Sequence, residues 1–499
     1  VSRPDGDRPP TVETVRAQMA ALLARPATGS PSHLRALPHL QRADWVLLRP
    51  QLSAPLQADL TALRSAPILL NFDRRPAGLS LARIRQAERG VGEHAITLFD
   101  TGDTFVSDMS HIFFDGIWSV ALAEILTNQA IAWATYLHLL PPVTAADNGA
   151  VPANGLPAGA APTVRHLPCR LTPADYALID ARQRVTAEAS AETERVDVRA
   201  IMTLRTLFKQ RSDLLQLTVN DLLLLYRAIH ALTYVPSAAL RQRLDSLHAS
   251  PQTRAAAEHV LTAVSDRTSP SILIPVDASQ YAPRARVHPM TLVVPLEALG
   301  LLELHAQTLA AWQRRRAEGT AEAEAAFDAQ QQHYLATLAG LSELLSRLKQ
   351  VAAAGESTSV GTIRLLAHLP TPVQRLLDKI PHQFDVLNDL IKGREVFSNV
   401  GAVVPDSTLT RFLTAKDDNE HKTLAWAIIT DANKVMRITL RDFRPHVARL
   451  VRLGEQALAD AVAQEYLDAY ALGFNQFVAD LLLIVRAGRR PARRGENGV

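Results

Sequence analysis

A histidine, an aspartate and a glycine stand close together in SDMSHIFFDGIWSVALAEIL, residues 107–126, in the order H-x-x-x-D-G. Imidazole can take up and return a proton near neutral pH, which suits it to general acid–base work. A carboxylate four residues on can hold the ring, or the loop that carries it. His111, Asp115 and Gly116 are therefore candidates for proton-transfer chemistry. A plainer reading competes with this one. Asp115, just before an apolar helical run, makes a sound helix N-cap, and His111 at a strand end can be a hydrogen-bonded core residue. Spacing alone leaves both open. Asn220, in LTVNDLLLLY, and Ser398-Asn399, in FSNVGAVV, are further candidates to line a site or donate hydrogen bonds. As purely structural residues they would be a helix cap and a strand-end turn.

Several common chemistries are excluded. GVGEHA at 90–95 fits a loose G-x-G-x-x-A pattern, but a helix pattern precedes it and a strand pattern follows. A dinucleotide site needs the reverse order, so that phosphate meets a helix N-terminus. There is no Walker A loop, no H-E-x-x-H and no G-x-S-x-G. Cys169 is the single cysteine in 499 residues, which removes internal disulfides and cysteine-based metal sites; no metal site is expected. A net charge of +3, without a dense basic face interleaved with aromatics, gives no indication of nucleic acid. The cysteine usage fits a reducing compartment, so the expected location is cytoplasmic. No apolar run approaches the roughly 20 residues needed to span a bilayer, and VSRPDGDRPP lacks the apolar segment of a secretory signal. The tail from Arg486 through Arg494 is basic, either a solvated end or a weak attraction to anionic lipid at a membrane surface.

The elements around these residues fall into two parts. Short strand patterns run at 45–50, 66–72, 94–100 and 104–114, with helix patterns at 59–65 and 79–89. After Gly116 the sequence turns helical to about Leu140. Residues 141–162, rich in Pro, Gly and Ala, read as a linker. Beyond it come a strand pattern at 164–171, a helix opened by Thr172-Pro173, and a buried-looking helix at 217–235 with Thr218 or Asn220 as cap. Strand patterns follow at 271–279 and 290–296, long helices over 297–353, strand patterns at 396–404, 423–430 and 435–443, and a C-terminal helix. The division is 1–145, a linker at 146–163, 164–485, and a basic tail at 486–499. Strands mixed with helices, without regular alternation, point to α+β layers.

The H-x-x-x-D-G stretch resembles the active-site motif of the CoA-dependent acyltransferase superfamily. That superfamily includes chloramphenicol acetyltransferase, the condensation domains of nonribosomal peptide synthetases, and bacterial wax ester synthase/diacylglycerol acyltransferases. Several members carry HHxxxDG; here Ser110 replaces the first histidine and His111 is the second. LTVNDLLLLYRAIHALTY is similar to the T-x-N-D helix start of the wax ester synthases. FSNVGAVV resembles their S-N-V strand, and IPVDAS at 274–279 their V-P-V-S strand. The segments occur in family order. Ser279-Gln280 depart from the arginine that often follows that strand, His288-Pro289 stand near the usual G-N, and the D-F-G-W-G and PLW-type motifs are absent.

The resemblance implies an α+β (α/β two-layer) protein of two chloramphenicol acetyltransferase-like lobes, with mixed sheets and a tunnel at their interface. It implies transfer of an acyl group from acyl-CoA, or from a carrier-protein thioester, to an alcohol, with a lipid-type acceptor expected first. His111 would be the general base. Asp115 would fix its loop, with an arginine partner for which Arg284 and Arg286 are candidates. Gly116 would keep the tunnel clear of a side chain, and Asn220, Ser398 and Asn399 would bind substrate. No permanently bound cofactor is expected; acyl-CoA is a co-substrate, and the partners are an alcohol or amine acceptor and an acyl carrier protein. Two other readings stay open: a condensation-like domain using carrier-bound amines, and a degenerate member that binds an acyl thioester or a partner without turnover.

Overall fold

From Trp45 to Leu60 the buried apolar residues, Trp45, Leu48, Leu52, Leu56 and Leu60, stand three or four apart, which is the spacing of one helix face. The structure, a computed structural model, describes residues 12, 16, 37, 40, 42–65, 69–71, 96–100, 105–109, 116–141, 167–182, 187–211, 215–249, 251–281, 287–355, 395–403, 405, 407, 409 and 423–487. The strand expected at 45–50 is instead helix α1, Arg42–Leu48, followed by a 3-10 turn, Arg49–Gln51. Trp45 and Leu48 are buried while Val46 and Leu47 are exposed. That is one face of a helix, not the alternation of a strand. Helix α2, Ala54–Arg64, follows. Strands β1, Leu69–Asn71, β2, Ile96–Asp100, and β3, Phe105–Met109, form a three-stranded sheet, β1 parallel and β3 antiparallel to β2. Helix α3, Gly116–His138, comes next. The helix pattern at 79–89 and most of the Pro/Gly/Ala-rich stretch lie outside the described residues.

Beyond that stretch the chain returns to the N-terminal helices. Residues 167–170 are not a strand as expected: Pro168 supplies no N–H, and Cys169 takes a left-handed backbone, φ 43°. Helix α4, Pro173–Asp180, begins at Thr172 with a capping box. Asp175 closes that box and also accepts from the backbone N–H and hydroxyl of Ser53, the cap of α2, at 2.7 and 2.8 Å. One buried carboxylate thus ties two helix starts together. Cys169 and Ile179 join Leu37, Leu40, Trp45, Leu48, Leu52, Leu56 and Leu60 in one small core.

The larger unit contains strand β4, Ala189–Val196, then helices α5, Val198–Arg211, α6, Val219–Thr233, α7, Ala238–Asp245, and α8, Pro251–Val264. Strands β5, Ile272–Asp277, and β6, Val287–Leu292, precede helices α9, Leu301–Glu318, and α10, Ala321–Ala354. Strands β7, Glu395–Ala402, β8, Leu424–Thr430, and β9, Met436–Asp442, lead to helices α11, Pro445–Arg452, and α12, Gln456–Ala487. The six strands form a mixed sheet in the order β4-β9-β8-β7-β5-β6. β8–β7 and β7–β5 are parallel, and the other pairs are antiparallel. The molecule is mixed α/β. Strand β6 ends at Leu292, earlier than its expected end at 296, because a tight turn from Leu296 N–H to the Val294 carbonyl follows.

Helices α6 and α12 share a core with this sheet, and α10 packs against β5 and β6. Leu222 to Leu225, Tyr470, Phe474 and Leu481 share a core with Trp426, Ile428, Ile438 and Leu440. By length and composition α12 could cross a membrane. Its apolar stripe, Val462, Tyr466, Tyr470, Phe474, Val478 and Leu481, is nevertheless buried in that core. Gly473 lies where α12 meets α6: a Cβ there would stand 1.8 Å from the Tyr226 hydroxyl.

Strand β4 reads ASAETERV, too polar to be expected as a strand. Polar side chains of α12 explain it. Gln456 donates to the Glu188 carbonyl, Asp460 accepts from Ser190 N–H, and Gln464 bonds both the N–H and the carbonyl of Glu192. Asn475 does the same for Arg195 O and Asp197 N–H, at 2.7 and 2.9 Å. Four helix residues rise about 6.0 Å and two strand residues about 6.6 Å, so the two ladders stay nearly in step. The outer edge of the sheet is closed by a helix.

Candidate functional site

Two segments singled out in the sequence meet in space. Gly116, the last residue of H-x-x-x-D-G, is the first residue of α3, and α3 packs against β7, the strand that carries S-N-V. His111 and Asp115 lie outside the described residues, as do Arg284 and Arg286. Strand β7 pairs with β5 only at Ile272↔Glu395 and Leu273↔Val396. Past Val396 the two parallel strands separate, so from Phe397 onward the β5-facing edge of β7 has no ladder partner among the described residues. On its other side β7 stays paired to β8, with Phe397 opposite Trp426 and Ser398 opposite Ala427.

The alternation of a strand sorts the side chains. Glu395 and Phe397 are buried on the face packed by α6 and α12, while Ser398 shares the opposite face with Val396 and is half-buried. Across from them stand two alanines, Ala425 and Ala427. Small residues there let another element or a ligand come close to the sheet. Asn399 follows its structural reading. Its Oδ1 accepts from Gly401 N–H at 2.9 Å, where the strand becomes irregular and Gly401 takes φ 82°.

At the start of α6 the cap is Thr218, reciprocated by Asp221, which also pairs with Lys349 of α10. Asn220 is therefore not the cap. Its Oδ1 is buried with no hydrogen-bond partner among the described residues. No hydrogen bond joins Asn220 to Ser398 or Asn399 among those residues.

Seven residues along α6 from Asn220 lies a polar cluster that the sequence reading did not anticipate. Arg227 donates from Nε and Nη2 to the two Glu395 oxygens, at 2.5 and 2.9 Å, and Trp426 Nε1 donates to the same carboxylate at 2.7 Å. All three residues are buried. Burial opposes the charge of Arg227, but Glu395, Tyr466 and Tyr470 together more than offset this, so the Arg227 pKa stands above its ordinary value. Arg444 likewise holds Asp442, at 3.0 and 2.6 Å, and donates to the Ala263 carbonyl at 3.0 Å. The Tyr466 ring lies near both guanidiniums, 5.6 Å from Arg227 and 4.9 Å from Arg444. His230 packs edge-on against Tyr466, with ring centroids 4.5 Å apart. Burial, then the two arginines, push its pKa well down. A charge and a histidine inside LLLLYRAIHALTY were the visible signal, because a buried ion demands a partner. What the sequence lacks is the identity of that partner, 168 residues away.

The cluster's carboxylates are engaged by arginine, so it acts as a clamp. It fixes the first residue of β7 to α6 and to β8, and Ser398 lies three residues beyond. Among the described residues no group of His, Cys, Asp and Glu could hold a metal ion.

No known family model matches the chain, and no curated protein is similar to it. Among solved structures it is similar to the epimerization domain from the third module of tyrocidine synthetase B, at 12% identity and a TM-score of 0.26, over 82% of this chain and 80% of that one. So low a TM-score does not establish a shared arrangement.

Proposed function

We propose that this chain is an acyltransferase of the chloramphenicol acetyltransferase-like fold, moving an acyl group from acyl-CoA or a carrier thioester to an alcohol of lipid type. The observation that supports this most is the meeting of α3 and β7. The H-x-x-x-D-G helix and the S-N-V strand resemble motifs of one superfamily and pack together although they are far apart in the chain. In this reading a ring nitrogen of His111 takes the proton of the acceptor hydroxyl as its oxygen attacks the thioester carbon. The tetrahedral oxyanion collapses, the C–S bond breaks, and the leaving thiolate takes the proton back. Asp115 holds the loop that carries His111, and Gly116 keeps the space beside the ring free. Ser398, half-buried on the small-residue face, is a donor available to substrate.

The test is release of free thiol from a panel of short to long acyl-CoAs in the presence of alcohols. Cys169 is buried, and desolvation followed by the nearby Asp59 raises its thiol pKa, so the protein adds little thiolate background. Turnover should be abolished by His111→Ala with the unfolding transition unchanged. Undiminished turnover in that variant, or binding of acyl-CoA with no turnover in the parent, would overturn the reading. Turnover only with a phosphopantetheinylated carrier and an amine would replace it by the condensation-like one.

A further inference from the structure

Two prolines face each other across β5 and β6, where Pro275 pairs with Pro289. In an antiparallel ladder a hydrogen-bonded pair exchanges two N–H···O bonds, and neither proline has an N–H to give. The pair is therefore of the other kind, in which the two backbones turn their polar groups away from each other. The nitrogen of Pro275 faces β7. By the alternation of a strand, Ser271 and Leu273 face the same way. The Ser271 carbonyl accepts from Glu395 N–H at 3.3 Å, and Leu273 pairs with Val396. The next donor toward β7 would come from residue 275, and a proline cannot supply it. There the β5–β7 ladder stops, although β5 continues to Asp277 and β7 to Ala402.

We propose that Pro275 is a positioning residue: it keeps β5 and β7 apart beside Ser398, and so holds open the gap through which an acyl thioester reaches the site. Continued register would set Pro275 opposite Ser398 on one face of the sheet, where Pro275 is exposed and Ser398 half-buried. The Arg227–Glu395 clamp holds the other side of the gap by fixing the first residue of β7. Helix α6 points its start toward the same place. Its partner α12 runs parallel to β4, as their paired residues rise together. β4 is antiparallel to β9, β9 to β8, and β8 is parallel to β7, so α12 runs with β7. Along α6, Tyr226 meets Phe474 and Phe477, but His230 meets Tyr466 and Tyr470, so α6 runs against both. Asn220, two turns before Arg227 on the same helix face, therefore lies about 10 Å from it toward the carboxyl end of β7. Ser398 lies about 10 Å from Glu395 in the same direction. Parallel strands that part at their carboxyl ends, with a helix start beside the gap, are a usual setting for a ligand. What passes through the gap rests on the acyl-transfer reading; the gap itself rests on the ladder alone.

The experiment gives β5 the missing donor. Pro275→Val places a strand-forming residue at an exposed position, and the amide it introduces should exchange with solvent about tenfold or more slower than an open one. In a Ser398→Cys background the introduced thiol should react with iodoacetamide about fivefold more slowly once Pro275→Val is added. Cys169, buried with a raised thiol pKa, contributes little to that reaction. Pro289→Val is the control: its nitrogen faces away from β5, so labelling should stay as it was. Unfolding transitions of both variants check the fold. With Ser398 in place, Pro275→Val should raise KM for acyl-CoA about fivefold or more and change kcat less, because His111 is on neither strand. An introduced amide that exchanges freely, labelling indifferent to Pro275→Val, or the same slowing in Pro289→Val overturns the proposal. So does a loss of kcat at unchanged KM. A parent chain without turnover sinks the acyl-transfer reading, and exchange and labelling then decide the gap by themselves.

Discussion

Arg227 and Glu395 bring opposite charges into the core of the larger unit, and the geometry decides whether that costs or stabilises. Taking each ion out of water is expensive, and their attraction offsets the cost only while the remaining polar atoms are also satisfied. Here the carboxylate receives three donors, from Arg227 Nε and Nη2 and from Trp426 Nε1, while Arg227 Nη1 finds no acceptor among the described residues. Removing one partner should therefore be worse than removing both. Glu395→Gln strands a buried guanidinium and should cost about 3–5 kcal/mol of unfolding free energy in urea titration. Arg227→Met with Glu395→Gln removes the charge, keeps an acceptor for Trp426, and should lose less than the single variant. Equal losses would mean that the pair is not coupled. Of this cluster the sequence displays the need, a charge in an apolar helix, but not the partner, because Glu395 opens β7 only once the sheet has brought β5, β7 and β8 together.

Strand β4 owes its place to α12 more than to its own residues. A ladder of Gln456, Asp460, Gln464 and Asn475 satisfies backbone groups along an edge that would otherwise face water or another chain. Gln464→Leu leaves the Glu192 N–H and carbonyl without these partners. It should cost about 1–2 kcal/mol, with the Glu192 amide exchanging faster with solvent while Leu223, deep in α6, stays protected. Uniform acceleration across the unit would instead mark global destabilisation. Elements with their own periodicity were legible in the sequence: α3, α6, and β5, β7, β8 and β9 stand close to where their patterns put them, while the choice of Thr218 over Asn220 as the cap of α6 came only from the structure. Residues 45–50 were misread because Trp-Val-Leu-Leu is as apolar as a strand, and only the burial of every third or fourth residue from Trp45 to Leu60 reveals a helix. Strand β4 was invisible because what holds it lies on another element.

At the scale of the whole molecule, the described residues form two cores, and the larger one holds histidines without hydrogen-bond partners. Neither ring nitrogen of His230 or His446 has one among the described residues. His305, between Tyr334 at 2.8 Å and Asp480 at 3.4 Å, is also largely removed from water. Burial lowers the pKa of all three, more than Asp442 raises it for His446 or Asp480 for His305. Around His446 stand Asp442 and Arg444 before α11 and His259 of α8, and the balance leaves its pKa at about 4. In the unfolded chain an ordinary histidine titrates near 6.5. Between these values the unfolded state binds the extra proton, so stability is complete above about pH 6.5 and falls as pH drops toward 4. A gap of that size corresponds to about 3 kcal/mol from His446 alone, and His230 adds to it in the same direction. Urea midpoints measured from pH 7.5 down to 4.5 should therefore decline well before the carboxylates protonate. His230→Phe with His446→Leu keeps the packing apolar and removes both sites, so it should flatten that decline and leave the pH 7.5 midpoint nearly in place. An unchanged slope would locate the acid sensitivity in other groups, and not in the Arg444–Asp442 pair, whose carboxylate pKa is held down by Arg444 against the effect of burial. That carboxylate would give way only below its ordinary range near 3.8. The two transitions fall at different pH, so the decline between pH 7.5 and 4.5 reads the histidines and not that pair.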